Sequence, residues 1–310
     1  MSTLNALLDR LVDYAGLFPP AELAMRPVVE NYQAYLRSPY RWMLGRFIVP
    51  ARRLREFEGV FGELPIQPGN ERPWLVSALI APSSQWEQFQ SDLNEIEEFN
   101  SRQRGPAKPS AMVDTIEGKA DDDADVAAAV THVTKEFALF LELPIDNRLN
   151  KLLRELEKAK SVREVFAKVR TGGIVPEAIP PADRVAEFIA GCFARFIGFK
   201  ATAGLHHPIR AKYPLTYLDS PPSAVMYGFL NVFVAACAAH DNHRNIARIK
   251  EIITETDHTQ FQFGPAAISW RGNSWPIDDV RLTREKAVSF GSCSFVEPVD
   301  DLRKLSLLPR

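Results

Sequence analysis

Residues 137–173 read FALFLELPIDNRLNKLLRELEKAKSVREVFAKVRTGG, and the order of apolar residues in them decides the fold. FALFLELP (137–144) is short, apolar in both parities and closed by a proline, the pattern of a strand covered on both faces. Leu149, Leu152, Leu153 and Leu156 then recur at steps of three and four, which is one stripe of an amphipathic helix. VFAKVRTGG (165–173) returns to a β-rich run that ends on a glycine pair. A strand, a helix and a second strand in so short a span form a βαβ unit, whose strands pair in parallel.

The unit recurs on both sides. β-rich runs stand at RFIVPA (46–51), WLVSALIA (74–81), AMVDTIE (111–117), GFKATAGL (198–205), QFQFGPAAI (260–268) and VSFGSCSF (288–295), making eight in all. Helical stripes separate them: Trp86, Phe89, Leu93 and Ile96 after the second run, and Val185, Phe188, Ile189, Cys192, Phe193 and Phe196 before the sixth. Eight such units, spaced by roughly thirty residues, predict one α/β domain of the (β/α)8, TIM-like type. In this reading residues 1–45 are an N-terminal extension, with DYAGLFPPAELAM (13–25) an extra strand or a plug for the barrel floor. Residues 206–258 are a helical insertion between strands six and seven, and loops are expected over 62–73 and 103–110. A ninth strand would favour a doubly wound open sheet instead.

Bulk composition excludes several classes. The 310 residues are 46% hydrophobic and 25% charged, with 37 basic against 39 acidic side chains and a net charge of -2. That balance lacks the basic excess of a nucleic-acid binder. Cys192, Cys237 and Cys293 are far apart and show no CxxC spacing, so neither a disulfide framework nor a thiolate metal site is expected. The start MSTLNALLDRLVDYAGLF lacks the basic-then-apolar order of a signal peptide, and no apolar run reaches membrane length, so a cytoplasmic protein without a membrane partner is expected. The longest apolar run, within 224–239, reads as a buried helix or, alternatively, as a surface for self-association into a homo-oligomer.

Strand parity locates the charges. Glu142 shares a face with Phe140, Lys168 with Arg170, and Lys200 with Thr202, whereas Leu139, Leu141, Ala167, Val169, Phe199 and Ala201 make an apolar face of opposite parity. Turning the apolar set toward the helices puts the charged set inside the barrel, near the C-terminal strand ends where barrel active sites lie. Buried charges are costly, so three neighbouring strands that carry them call for a site or an ion-pair network. Lys200, with cationic neighbours in this reading and an apolar setting, is expected to favour its neutral amine and to act as a nucleophile on a carbonyl compound. Glu142, Lys168, His206 and His207 are the candidates to hold or move protons beside it.

Arg170, Thr171, Gly172 and Gly173 after the fifth run, Thr202 on the sixth, and Ser292 and Ser294 on the eighth are candidate contacts for a small-molecule substrate bearing a carboxylate or phosphate. No cofactor is expected. Two rival readings stand beside this one. Asp114, Glu142 and His206 or His207 could form a mixed oxygen and nitrogen metal set for a hydrolase, although no HExxH signature is present. A non-catalytic barrel with an oligomerisation helix is the other.

FKATAGL (199–205) resembles the KTSTGF-type strand-six signature of class I aldolases of the deoxyribose-phosphate aldolase type. The resemblance implies a (β/α)8 barrel and a lyase in which Lys200 is the Schiff-base lysine and Lys168 an accessory charged group. The family also carries a lysine motif on strand seven, and QFQFGPAAI, the run read here as strand seven, has no lysine.

Overall fold

Eight parallel strands close into a barrel, and they are not quite the eight that periodicity selects. The computed structural model describes residues 2–64, 73–104 and 111–309, so the loops expected over 62–73 and 103–110 lie largely outside the described residues. In chain order the strands are β1 (Val12–Tyr14), β2 (Leu44–Pro50), β3 (Trp74–Leu79), β4 (Ala111–Lys119), β5 (Ala138–Glu142), β6 (Val165–Arg170), β7 (Phe199–Thr202), β8 (Ala211–Pro214), β9 (Ser223–Met226), β10 (Phe261–Phe263), β11 (Ala267–Trp270), β12 (Asn273–Pro276) and β13 (Ala287–Ser292). β1 to β7 follow one another around the barrel, and β13 closes it between β7 and β1. The βαβ unit of 137–173 is there as read: β5, the helix Leu149–Ala159 and β6, with Glu142 opposite Lys168 in register.

Two memberships change. The N-terminal extension supplies the first barrel strand, with Val12 paired to both Phe290 and Leu44. QFQFGPAAI leaves the barrel for a three-stranded antiparallel sheet, in which β10 pairs β11 and β11 pairs β12. Its burial alternates along the chain (β11 is intermediate, buried, intermediate, buried), the mark of a sheet with one wet face; barrel strands such as β6 and β7 are buried on both. The runs β2 to β7 therefore each move up one place, so that β6 is sixth and β7 seventh; β13 stays eighth, and the insertion runs from β7 to β13.

Parity holds where it was read. Phe199 packs edge-on to Phe188 and Phe193 of the helix Ala182–Ala194 and stacks on Phe233, so its face is the helix side. Lys200, next along, points into the barrel, where Phe140 and Phe166 stack at 4.5 Å below it. The apolar run forms the helix Phe229–Asn242, in which every residue from Phe229 to Ala239 is buried within this chain. That helix offers no apolar face for self-association. No helix among the described residues is long and apolar enough to cross a membrane.

Candidate active site

Six charged side chains run through the barrel interior in strict alternation of sign. Asp13 Oδ2 accepts from Lys200 Nζ at 2.7 Å, and Lys200 Nζ also donates to Glu117 Oε1 at 2.6 Å. The other oxygen of Glu117 takes Lys168 Nζ at 2.9 Å; Lys168 reaches on to Glu142 Oε2 at 3.1 Å, and Glu142 Oε1 meets Arg170 Nε at 3.2 Å. β1, β7, β4, β6 and β5 each contribute, so the network exists only once the barrel has closed. Ser77 and Ser289 donate to Glu117 and Asp13, and the amide of Arg46 donates to the second oxygen of Asp13. Three cations meet three carboxylates with all six oxygens occupied, which is the condition under which buried charges are tolerable.

Lys200 and Lys168 differ in access. Lys200 is 1% exposed, hemmed by two carboxylates and by the Phe140 ring at 5.6 Å, and has no contact with open space. Lys168 stands opposite it in register, as expected, but the groups in contact with its ammonium are anions, because β1 and β4 bring Asp13 and Glu117 across the barrel. Lys168 lines the floor of a cavity of about 550 Å³ that opens at the C-terminal strand ends. Burial alone would push the Lys168 ammonium toward neutrality, but Glu117 and Glu142 outweigh it and hold the group above the ordinary lysine range. Glu117 is held well below the usual carboxylate range despite its burial, by the charges of Lys168 and Lys200.

Above that floor the wall comprises Glu117, Arg170, Gly172, Gly173, Thr202 and Gly204, then His206, His207, Tyr217, Cys293 and Glu297 toward the mouth. Ala203 and Gly204 have φ of 56° and 77°, which turns the chain at the end of β7. A Cβ on Gly204 would come within 2.8 Å of Gly172 Cα, so the rims of β6 and β7 meet backbone to backbone. The turn carries both histidines onto the cavity, where an extended segment would have shown only one. His206 Nδ1 lies 3.5 Å from Glu297 Oε2, 3.8 Å from Cys293 Sγ and 3.3 Å from Ser292 Oγ. Its burial disfavours the imidazolium, yet hydrogen bonding to Cys293 and Glu297 raises it to about 9. His207 pairs with Asp301 at 2.6 Å and stacks on Tyr213 with ring centres 3.6 Å apart.

Other expected contacts are engaged elsewhere. Thr171 Oγ1 donates to the carbonyl of Ala203 at 2.6 Å, and Ser292 Oγ to that of Ser294 at 2.7 Å. Ser294 Oγ accepts from the Glu297 amide. None of the three lines the cavity. Asp114 is bound by Arg46 in a two-point pair, Nε to Oδ1 at 2.7 Å and Nη2 to Oδ2 at 2.8 Å. It lies early in β4, remote from the strand ends that carry His206, while Glu142 is taken by Lys168 and Arg170. The mixed metal set is thus not brought together, and no three His, Cys, Asp or Glu side chains among the described residues are placed to hold a metal.

Asp13, Glu117 and Glu297 are the site residues that sequence reading passes over. Glu117 was within reach: it ends the run AMVDTIE. Simple alternation from Asp114 would aim it outward, but the β3–β4 register pairs Val76 with Val113 and Ser77 with Thr115, leaving Asp114 as an extra residue. That bulge resets the parity and turns Glu117 inward.

Compared with models of protein families, with curated proteins and with solved structures, the chain matches none of them.

Proposed function

We propose that this barrel is a lyase of the class I aldolase kind and that Lys168, rather than Lys200, forms the Schiff base. The observation that carries the reading is the placement of Lys168 Nζ between Glu117 and Glu142 at the floor of the cavity. Strand order agrees with it. The aldolases that FKATAGL resembles have their Schiff-base lysine on strand six and a second lysine on strand seven; counted on the closed barrel, those strands carry Lys168 and Lys200.

The chemistry follows from the charges. Lys168 must lose a proton before its nitrogen can attack a carbonyl carbon. The carbonyl oxygen then leaves as water, and the product is a protonated imine. Ammonium plus carbonyl gives iminium plus water, so the charge at the nitrogen is the same before and after. Glu117 and Glu142, which hold the ammonium, are therefore already placed to hold the iminium, in a site dry enough for that attraction to count. The iminium withdraws electrons from the neighbouring carbon, which eases breaking or making of the adjacent carbon–carbon bond. Lys200 keeps Glu117 oriented and ionised from beneath, and is a positioning residue in this scheme.

Borohydride reduction in the presence of small aldehydes and ketones, followed by peptide mass analysis, tests the assignment. The expected adduct is on the peptide containing Lys168. An adduct on Lys200, or none on either lysine, would overturn it.

A further inference from the structure

In (β/α)8 barrels the ends of the last two strands, with the first turn of the helix that follows, commonly seat a phosphate, because unpaired amides converge there. Here that seat is filled from within the chain. The helix Val296–Lys304 starts four residues after β13, and Glu297 stands in its first turn. The Glu297 carboxylate pairs with His206, and its amide is taken by Ser294 Oγ. The hydroxyl of Ser292 is committed to a carbonyl of its own loop, and that of Thr171 to the carbonyl of Ala203 after β7.

The cations beside the cavity are committed as well. Lys168 has Glu117 and Glu142, Arg170 has Glu142, His206 has Glu297 and His207 has Asp301. Among the described residues each cation facing an incoming dianion already has a carboxylate partner, and two carboxylates, Glu117 and Glu297, stand in the wall itself. The same wall also carries hydrocarbon, supplied by Phe18, Ile48, Leu79, Ile174, Leu215 and Met226. Such a wall rewards apolar surface, by about fourfold in affinity for each buried methylene.

We infer, resting on the Schiff-base reading of Lys168, that the carbonyl substrate is an uncharged aldehyde or ketone with a short apolar substituent, and that the Glu297–His206 pair excludes phosphorylated carbonyl compounds. The pair does so by placing a resident anion where a phosphate would sit. Its disruption should therefore admit phosphate by vacating that seat.

The test compares rates of borohydride trapping at Lys168 for butanal, propanal and glyceraldehyde 3-phosphate on the full-length protein, with the site read by peptide mass. Butanal should exceed propanal about fourfold, and the phosphorylated aldehyde should be slower than propanal by tenfold or more. Glu297→Gln should narrow that second ratio severalfold. Trapping of the phosphorylated aldehyde at Lys168 as fast as butanal overturns the substrate class and leaves the Schiff-base lysine standing. A ratio unmoved by Glu297→Gln overturns the role of the pair. Failure of all three aldehydes to modify Lys168 overturns the Schiff-base reading, and the inference with it. The wild-type rates decide the substrate class by themselves, whatever the folding of the variant.

Discussion

Lys200 Nζ lies 2.6 Å from Glu117 Oε1, a contact between strands seven and four that spans the barrel interior. With Asp13 on its other side, Lys200 ties three strands together at a depth water does not reach. Lys200→Met removes the cation, leaving Asp13 with no cation on it and Glu117 with Lys168 alone, so unfolding free energy from urea titration at pH 7 should fall by about 3–5 kcal/mol. Lys200→Met combined with Asp13→Asn should recover part of that loss, because the second change removes the stranded charge. Equal losses in the single and double variants would show that the pairing is not what stabilises the centre.

His206 gives stability a pH signature. Its folded pKa is raised to about 9 against an unfolded value of about 6.5, so folding binds the proton more tightly. The contribution is complete below pH about 6.5, declines between there and about 9, and is gone above that; its full size is up to about 3 kcal/mol. Denaturation midpoints measured from pH 6 to pH 9.5 should fall across this window in the wild type and fall less in Glu297→Gln. The same slope in both proteins would remove Glu297 as the partner responsible.

The barrel was legible because its signal is local. The runs at β2 to β7 are apolar in both parities, and each is separated from the next by a helical stripe; nothing beyond a window of about ten residues is needed to see it. β1 was not, since Val12–Tyr14 is three residues long with an aspartate in the middle and becomes a strand by pairing with β2 on one side and, on the other, with β13 at the far end of the chain. The antiparallel sheet β10–β12 imitates a barrel strand in composition, and only its alternating burial separates the two. The lysines announced the site, as charges in apolar runs must. Their partners did not: Asp13 and Glu117 reach Lys200 from 187 and 83 residues away, and a bulge at Asp114 hides the direction of Glu117. Without those partners the surroundings of Lys200 read as cationic and apolar, with the two carboxylates in contact with it left out.

Gly204 should resist substitution. Its φ of 77° is a left-handed conformation, and an added Cβ would sit 2.8 Å from Gly172 Cα, where backbone has to yield. Gly204→Ala should cost more than about 1 kcal/mol of stability and should also slow trapping at Lys168, because β6 and β7 are spaced by this contact. A variant as stable as the wild type in thermal unfolding would contradict the backbone contact.

Native-state alkylation should single out Cys293 from the three thiols. Cys192 and Cys237 are buried in the helical layer, where desolvation raises both and holds Cys237 at about 12, so their thiolates are scarce. Cys293 lines the cavity and has His206 at 3.8 Å and Tyr217 Oη at 3.6 Å. Iodoacetamide at pH 8, read by peptide mass, should label Cys293 first, and a bound aldehyde should slow that labelling. Labelling of Cys237 at a comparable rate would mean that the helix Phe229–Asn242 opens far more readily than its burial implies.

Trapping at Lys168 should itself depend on pH, with the sign set by its partners. Glu117 and Glu142 hold the group above the ordinary lysine range, so below that pKa the ammonium dominates and the nucleophilic amine is a minor species. Each unit of pH should then raise the trapping rate about tenfold until the amine predominates, since the amine fraction grows by that factor. Glu142→Gln withdraws one of the two carboxylates, leaves Glu117 in place at 2.9 Å, and should shift the whole rise to lower pH. The measurement is the initial rate of peptide-mapped adduct formation with propanal from pH 6 to pH 9.5. A flat profile would mean that the amine is already free at neutral pH, and a profile unmoved by Glu142→Gln would mean that Glu142 does not share the Lys168 proton.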